Sequence, residues 1–156
     1  DHFIFYDNKS DDNLLEVISP YIEAGIVEIR YYPEDLKTSK NFWIMENCTL
    51  EQRGKTKWLH YHALDERLFS PDGRNLDDLL RDYENYPGLC VGWTLFESNG
   101  HVNRPDGLII DNFTNAYNDK NKHIKTIILY NKNLYIYLTH TITLHNYAKI
   151  YVAVTA

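Results

Sequence analysis

Residues 2–32, "HFIFYDNKSDDNLLEVISPYIEAGIVEIRYY", decide the fold class. "HFIFY" at 2–6 is a short apolar run, and "DNKSDDN" after it is a cluster of turn and helix-capping residues, so a strand leads into a helix. In "NLLEVISPYIEAG", Leu14, Leu15, Ile18 and Ile22 fall at helical spacing, Asn13 and Glu16 are spaced as a capping box, and Gly25 is a stop. Pro20 predicts a kink or a division of that helix. From Ile26, "IVEIRYY" alternates apolar and polar residues until Pro33 ends it. The unit is β-α-β.

Downstream, residues 34–54 have a poor period but predict a helix around Phe42, Ile44 and Met45. Residues 58–64 predict a strand. "NLDDLLRDYENYPG" predicts a helix capped by Asn75, with Leu76, Leu79, Leu80 and Tyr83 on its apolar side and Pro87-Gly88 as terminator. "LCVGWTLF" reads as a strand, "ESNGHVNRPDG" as a loop, and "LIIDNF" and "HIKTIILY" as further strands. The tail "LYIYLTHTITLHNY" also alternates. With no internal repeat and no low-complexity linker, this order predicts a single α/β domain over 1–156 with a mixed, mostly parallel central sheet flanked by helices.

Composition narrows the partners. A net charge of −6 supplies no general drive toward nucleic acid or an anionic membrane. No run approaches the ~20 apolar residues of a membrane span, so no membrane segment is expected in this chain. Cys48 and Cys90 are too few and too far apart to imply a disulfide framework or a zinc site. Thirteen Tyr and three Trp suit both a core and a sugar or base site; Trp93 is assigned to the core. Three sequons, at Asn8, Asn47 and Asn112, matter only if the chain enters a secretory lumen, and the compartment stays open between that and a cytoplasmic or membrane-associated face.

The chemistry is sought in "KWLHYHALDERLF" at 57–69, where the strand runs into Asp65 and Glu66. Acids at the carboxyl edge of an α/β sheet stand where such sheets bind ligands, and carboxylate oxygens suit hard divalent cations that in turn hold phosphates. Capping of the following turn is the plainer role for the same two residues. If strand geometry continues, Asp65 and Glu66 point to opposite faces and cannot flank one glycosidic bond, which argues against glycoside hydrolysis. A two-metal phosphatase or nuclease would need more clustered carboxylates than are found here.

"HFIFYDNKSDDN", "PYIEAGIVEI", "KWLHYHALDERLF" and "YPGLCVGWTLFESNGHVNRPDGLII", in this order, resemble the glycosyltransferase family 2-like proteins related to the family 92 group, of the glycosyltransferase A-type fold. The similarity spans roughly residues 2–145. It implies transfer of a sugar from a nucleotide-sugar donor to a hydroxyl of a glycan or another acceptor, with Mn²⁺ or Mg²⁺ as cofactor. A divalent ion between diphosphate and carboxylates neutralises the leaving group's developing charge, hence the family's Asp-x-Asp motif. Here Ala63-Leu64-Asp65 takes the motif's place, followed by Glu66-Arg67 where relatives continue with Glu-Phe. The first carboxylate is missing, and Arg67 is expected either to disturb packing or to pair with Glu66.

The resemblance implies that Asp65 is the metal-proximal acid and His140 a second metal ligand, with His145 as fallback. It assigns Asp7, with Asn8 and Ser10, to the nucleotide. A base for the acceptor hydroxyl is sought among Asp106, Glu97 and Asp111, with Asp106 preferred; relatives more often have Gly at the position of Glu97. Trp93, His101 and Arg104 could face donor or acceptor. The chain opens at the strand that is second in the family's fold, so it reads as an N-terminally truncated fragment. A noncatalytic descendant that binds nucleotide or glycan is the alternative function, favoured by Ala63.

Overall fold

A computed structural model describes residues 1–33, 39–117, 123–130 and 148–154, the last stretch as backbone. They group into two compact units, Asp1–Glu51 and Gln52–Ala156.

In the first unit, β1 (Phe3–Asp7), α1 (Leu14–Glu23) and β2 (Val27–Tyr31) form the expected β-α-β, and α2 (Lys40–Gln52) follows. β1 and β2 pair in parallel, from Phe3 opposite Val27 to Asp7 opposite Tyr31. Ile18 is buried and Leu14 and Ile22 half-buried, one helical face, whereas Leu15 stays exposed. The N-terminus is closed differently from the expected capping box. Asn13 makes no side-chain cap, and Asp12 Oδ1 accepts from the Leu14 amide at 3.1 Å.

Pro20 neither ends nor divides α1. Its missing N–H deprives the Glu16 carbonyl of a helical donor, and the Ser19 hydroxyl donates to that carbonyl at 3.1 Å instead. Gly25, at φ 70°, makes the left-handed turn into β2. Arg30 on β2 then ties this unit together: it donates to Glu28 at 2.6 Å, to the Tyr6 hydroxyl at 3.2 Å, and to both carboxylate oxygens of Glu51 on α2.

The second unit holds β3 (Trp58–His60), α3 (Leu76–Arg81), β4 (Gly88–Leu95), α4 (Ile109–Asn112), β5 (Ile124–Leu129) and β6 (Ala148–Val154). Its sheet runs β3-β5-β4-β6, with β5 antiparallel to both neighbours and β4 parallel to β6. The mostly parallel sheet expected from sequence is thus corrected: half of the strand pairings among the described residues are antiparallel. A parallel return requires a long crossover, and the described part of 96–123 contains only the four-residue α4.

Asn75 caps α3 as expected, its side chain accepting from the Asp78 amide at 2.8 Å. That fixes Leu79 and Leu80 against Leu89, Val91 and Ile127 to form the core. Leu89, Cys90 and Val91 are all buried, so β4 is covered on both faces. Two segments depart from the expected strands. "LIIDNF" turns into α4, where the backbone amides of Asp111 and Phe113 reach the carbonyls of Leu108 and Ile109 and the Asn112 side-chain Nδ2 donates to the carbonyls of Asp106 and Leu108, both at 2.9 Å. β3 stops at His60, four residues early. The tail strand expected over 134–147 lies outside the described residues. No helix among those residues is long and apolar enough to cross a membrane.

Candidate functional site

Residues of the continuous β3-β5-β4 sheet and of the 62–68 segment line a small cleft in the second unit. His60, His62, Glu66, Arg67, Trp93 and Lys125 line it with Leu68, Val91 and Gly92. His60 and His62, two residues apart on an extended stretch, stack with ring centroids 5.3 Å apart. His60 Nδ1 lies 3.1 Å from the Thr126 carbonyl, so that nitrogen carries the proton. His62 Nδ1 likewise donates to the Ala63 carbonyl at 2.8 Å.

Burial pushes the His60 imidazole down to about 4, against a smaller upward pull from its hydrogen bond to Thr126. The folded chain therefore binds fewer protons at His60 than the unfolded chain between that value and an ordinary ~6.5. His60 contributes stability in full above about pH 6.5, and the contribution is lost as pH falls toward 4, a change on the order of 3 kcal/mol. Urea unfolding between pH 7 and 4 checks this: wild type should lose more stability than His60→Gln, and parallel pH profiles would refute it.

After His62 the chain makes a β-turn. The Glu66 amide donates to the Ala63 carbonyl at 3.1 Å, placing Leu64 and Asp65 at the two central, exposed positions. Asp65 is therefore displayed on an exposed turn, next in sequence to the cleft-lining Glu66, rather than at a strand end. Glu66 is buried, only 5% exposed; the strand geometry on which the expectation of opposite faces depended does not continue, because β3 ends at His60. Its carboxylate takes the Lys125 ammonium at 2.7 Å and the Ala63 amide at 3.1 Å. A carboxylate withdrawn from water needs such partners.

Arg67 neither disturbs packing nor pairs with the Glu66 side chain; its guanidinium donates to the carbonyls of Leu64 and, at 2.8 Å, Glu66. Trp93 departs from the core role expected of it. It is half-buried in the cleft wall, edge-on to His123 at 5.5 Å, with the Lys125 ammonium 5.9 Å from its ring centroid. Its indole Nε1 is buried without an acceptor among the described residues.

The remaining candidates are spread over the two units. Asp7 ends β1, and its carboxylate accepts from the Ser10 hydroxyl at 2.5 Å and the Ser10 amide at 3.1 Å, which hold it below the usual carboxylate range. Asp7, Asn8 and Ser10 thus share one loop, where Asn8 accepts from Lys40. Glu97 is exposed just past β4, its amide bonded to the Asn115 carbonyl at 2.8 Å. Asp106 lies exposed in the loop that Asn99 pins at its base, with bonds to the Thr114 hydroxyl at 2.9 Å and the Asn115 amide at 3.0 Å. Asp111 is exposed on α4, His101 stacks edge-on to Phe113, and Arg104 is exposed. His140 and His145 lie outside the described residues.

As a metal centre the donor set is incomplete. Among the described residues no three of His, Cys, Asp and Glu converge as ligands would. Asp65 is a carboxylate on an exposed turn, and His60 has one nitrogen committed to Thr126. The described residues alone do not close a metal site. The cleft residues that sequence reasoning passed over are His60, His62 and Lys125. "HYH" did carry a signal in its alternate spacing, whereas Lys125 had none, its carboxylate partner lying far away in the chain.

The sequence model of glycosyltransferase family 92 matches residues 1–151. A glycosyltransferase family 92 protein of Oryza sativa subsp. japonica is 29% identical over 87 residues, covering 56% of this chain and 15% of that protein. One of Ricinus communis is 28% identical over 85 residues, covering 54% and 15%. A galactan beta-1,4-galactosyltransferase of Arabidopsis thaliana is 24% identical over 95 residues, 58% of this chain and 19% of that protein. The chain spans less than a fifth of the length of these relatives.

Proposed function

The chain belongs to glycosyltransferase family 92, and from that premise we propose that it is part of an enzyme moving a sugar from a nucleotide-sugar donor to an acceptor hydroxyl, on a glycosyltransferase A-type fold. The family match over 1–151 carries this reading, and the exposed turn that displays Asp65 beside the cleft-lining Glu66 supports it. One relative is a galactan galactosyltransferase, so an activated galactose donor and a glycan acceptor are the first pair to try.

In the reaction, the acceptor oxygen bonds to the donor's anomeric carbon while the bond from that carbon to the diphosphate breaks. The electron pair departs with the nucleoside diphosphate, and the hydroxyl proton passes to a base. We assign the base to Asp106, with Glu97 as second choice, and the nucleotide to the Asp7–Ser10 loop. Asp65 and His140 would hold Mn²⁺ or Mg²⁺, which supplies charge neutralisation at the leaving diphosphate.

Ala63, standing where the resemblance implies a first carboxylate, favours one other reading: a noncatalytic descendant that binds nucleotide or glycan. Transfer assays on the full-length protein with nucleotide sugars and Mn²⁺ decide between them. Ala63 is exposed and its amide, not its methyl, meets Glu66, so Ala63→Asp should fold unchanged and raise turnover at least about tenfold. Transfer absent from both proteins would support the binding role and end the enzymatic one.

A further inference from the structure

The Glu66–Lys125 pair joins a turn to a strand 59 positions along the chain. Lys125 sits on β5 in register with Val91 of β4, so its backbone belongs to the core sheet. Its ammonium meets Glu66 Oε1 at 2.7 Å, and the same carboxylate's Oε2 accepts from the Ala63 amide at 3.1 Å. The turn's other polar groups are held from within: the Glu66 amide and the His62 ring donate to the Ala63 carbonyl, and Arg67 donates to the carbonyls of Leu64 and Glu66.

We propose that Glu66 and Lys125 are positioning residues, a strut that transmits the rigidity of the β5–β4 sheet to the 63–66 turn and so sets where the Asp65 carboxylate is presented. Neither need touch the substrate. This rests on the reading above that Asp65 faces the donor complex. A short turn on the surface would otherwise fluctuate, and a ligand carboxylate gains from partners that fix its orientation. The side chain of Glu66 is 7% exposed and that of Lys125 35%, so the pair is shielded on the carboxylate side and less screened than a surface bridge.

The test uses the full-length protein and two readouts: hydrogen exchange at the Ala63 and Glu66 amides, and titration with Mn²⁺ alone. In Glu66→Ala, exchange at both amides should rise about tenfold or more while core-strand amides such as Leu89 and Ile127 stay protected, and the Mn²⁺ dissociation constant should weaken about tenfold or more. Glu66→Gln keeps an oxygen for the Ala63 amide but turns its NH2 toward the Lys125 ammonium, so it should lose the anchor and exchange faster than wild type, though less so than Glu66→Ala. If Glu66→Ala does not fold, Lys125→Met, which removes only the anchor, should produce the same pattern. Wild-type exchange at Ala63 in a folded Glu66→Ala protein overturns the proposal, as does faster exchange with an unchanged Mn²⁺ constant. A wild type that binds no Mn²⁺ refutes the metal reading instead, and the exchange result alone then decides the strut.

Discussion

Asp65→Asn in the full-length protein should lower glycosyl transfer at least about 100-fold, the usual scale for removing one group that stabilises transition-state charge. The substitution keeps the shape of the side chain and removes its charge. Asp65 is exposed on its turn, and exposed substitutions typically change stability by no more than about 0.5 kcal/mol, so thermal unfolding should barely move. If the carboxylate acts mainly as the diphosphate departs, kcat and kcat/KM should fall together. A rise in KM at constant kcat would place Asp65 in ground-state binding, and unchanged kinetics would remove it from the site altogether. The contrast with Glu66 is informative: the neighbouring acid is buried and bonded to Lys125, so its loss should act on the turn as well as on turnover.

The largest effect on stability should come from Leu89→Ala. Leu89 is 0% exposed at the middle of the second unit's sheet, opposite Ile127 and clustered with Leu79, Leu80 and Val91. Truncation removes the side chain's burial and leaves a cavity that neighbours held on both sides by strands fill poorly, for a loss of about 3 kcal/mol. For a chain of this size that lowers the melting temperature by roughly 6–12 °C. Val102→Ala, at a residue 96% exposed, is the matched control and should change stability by less than about 0.5 kcal/mol. Denaturant unfolding of both variants checks the pair; equal effects would mean that the core is not organised around β4.

Much of the fold was legible because its signals are local. The spacing of Leu14, Ile18 and Ile22, the Asn75 cap and the apolar run of 88–95 each depend on neighbours a few positions away. The family, too, was legible, through the order of four segments that the match over 1–151 bears out. Two local expectations failed because a neighbouring polar side chain a few residues away took a different backbone group. "LIIDNF" has the composition of a strand, yet the Asn112 side chain donates to the carbonyls of Asp106 and Leu108 and the segment is a helix. Asn13 and Glu16 have the spacing of a capping box, but Asp12 does the capping.

The sequence by itself determined the α/β class, the β-α-β opening and the presence of acids after the 58–60 strand, since each follows from side-chain period and turn chemistry over a few residues. Only the tertiary structure decided that β5 runs antiparallel between β3 and β4 and that Lys125 comes to lie against Glu66. It likewise decided which acid is buried as a support and which is displayed to solvent. Strand direction and ion pairing between residues far apart are set by which long-range contacts bury the most surface and satisfy the most polar groups, and that balance exists only once the chain has closed on itself.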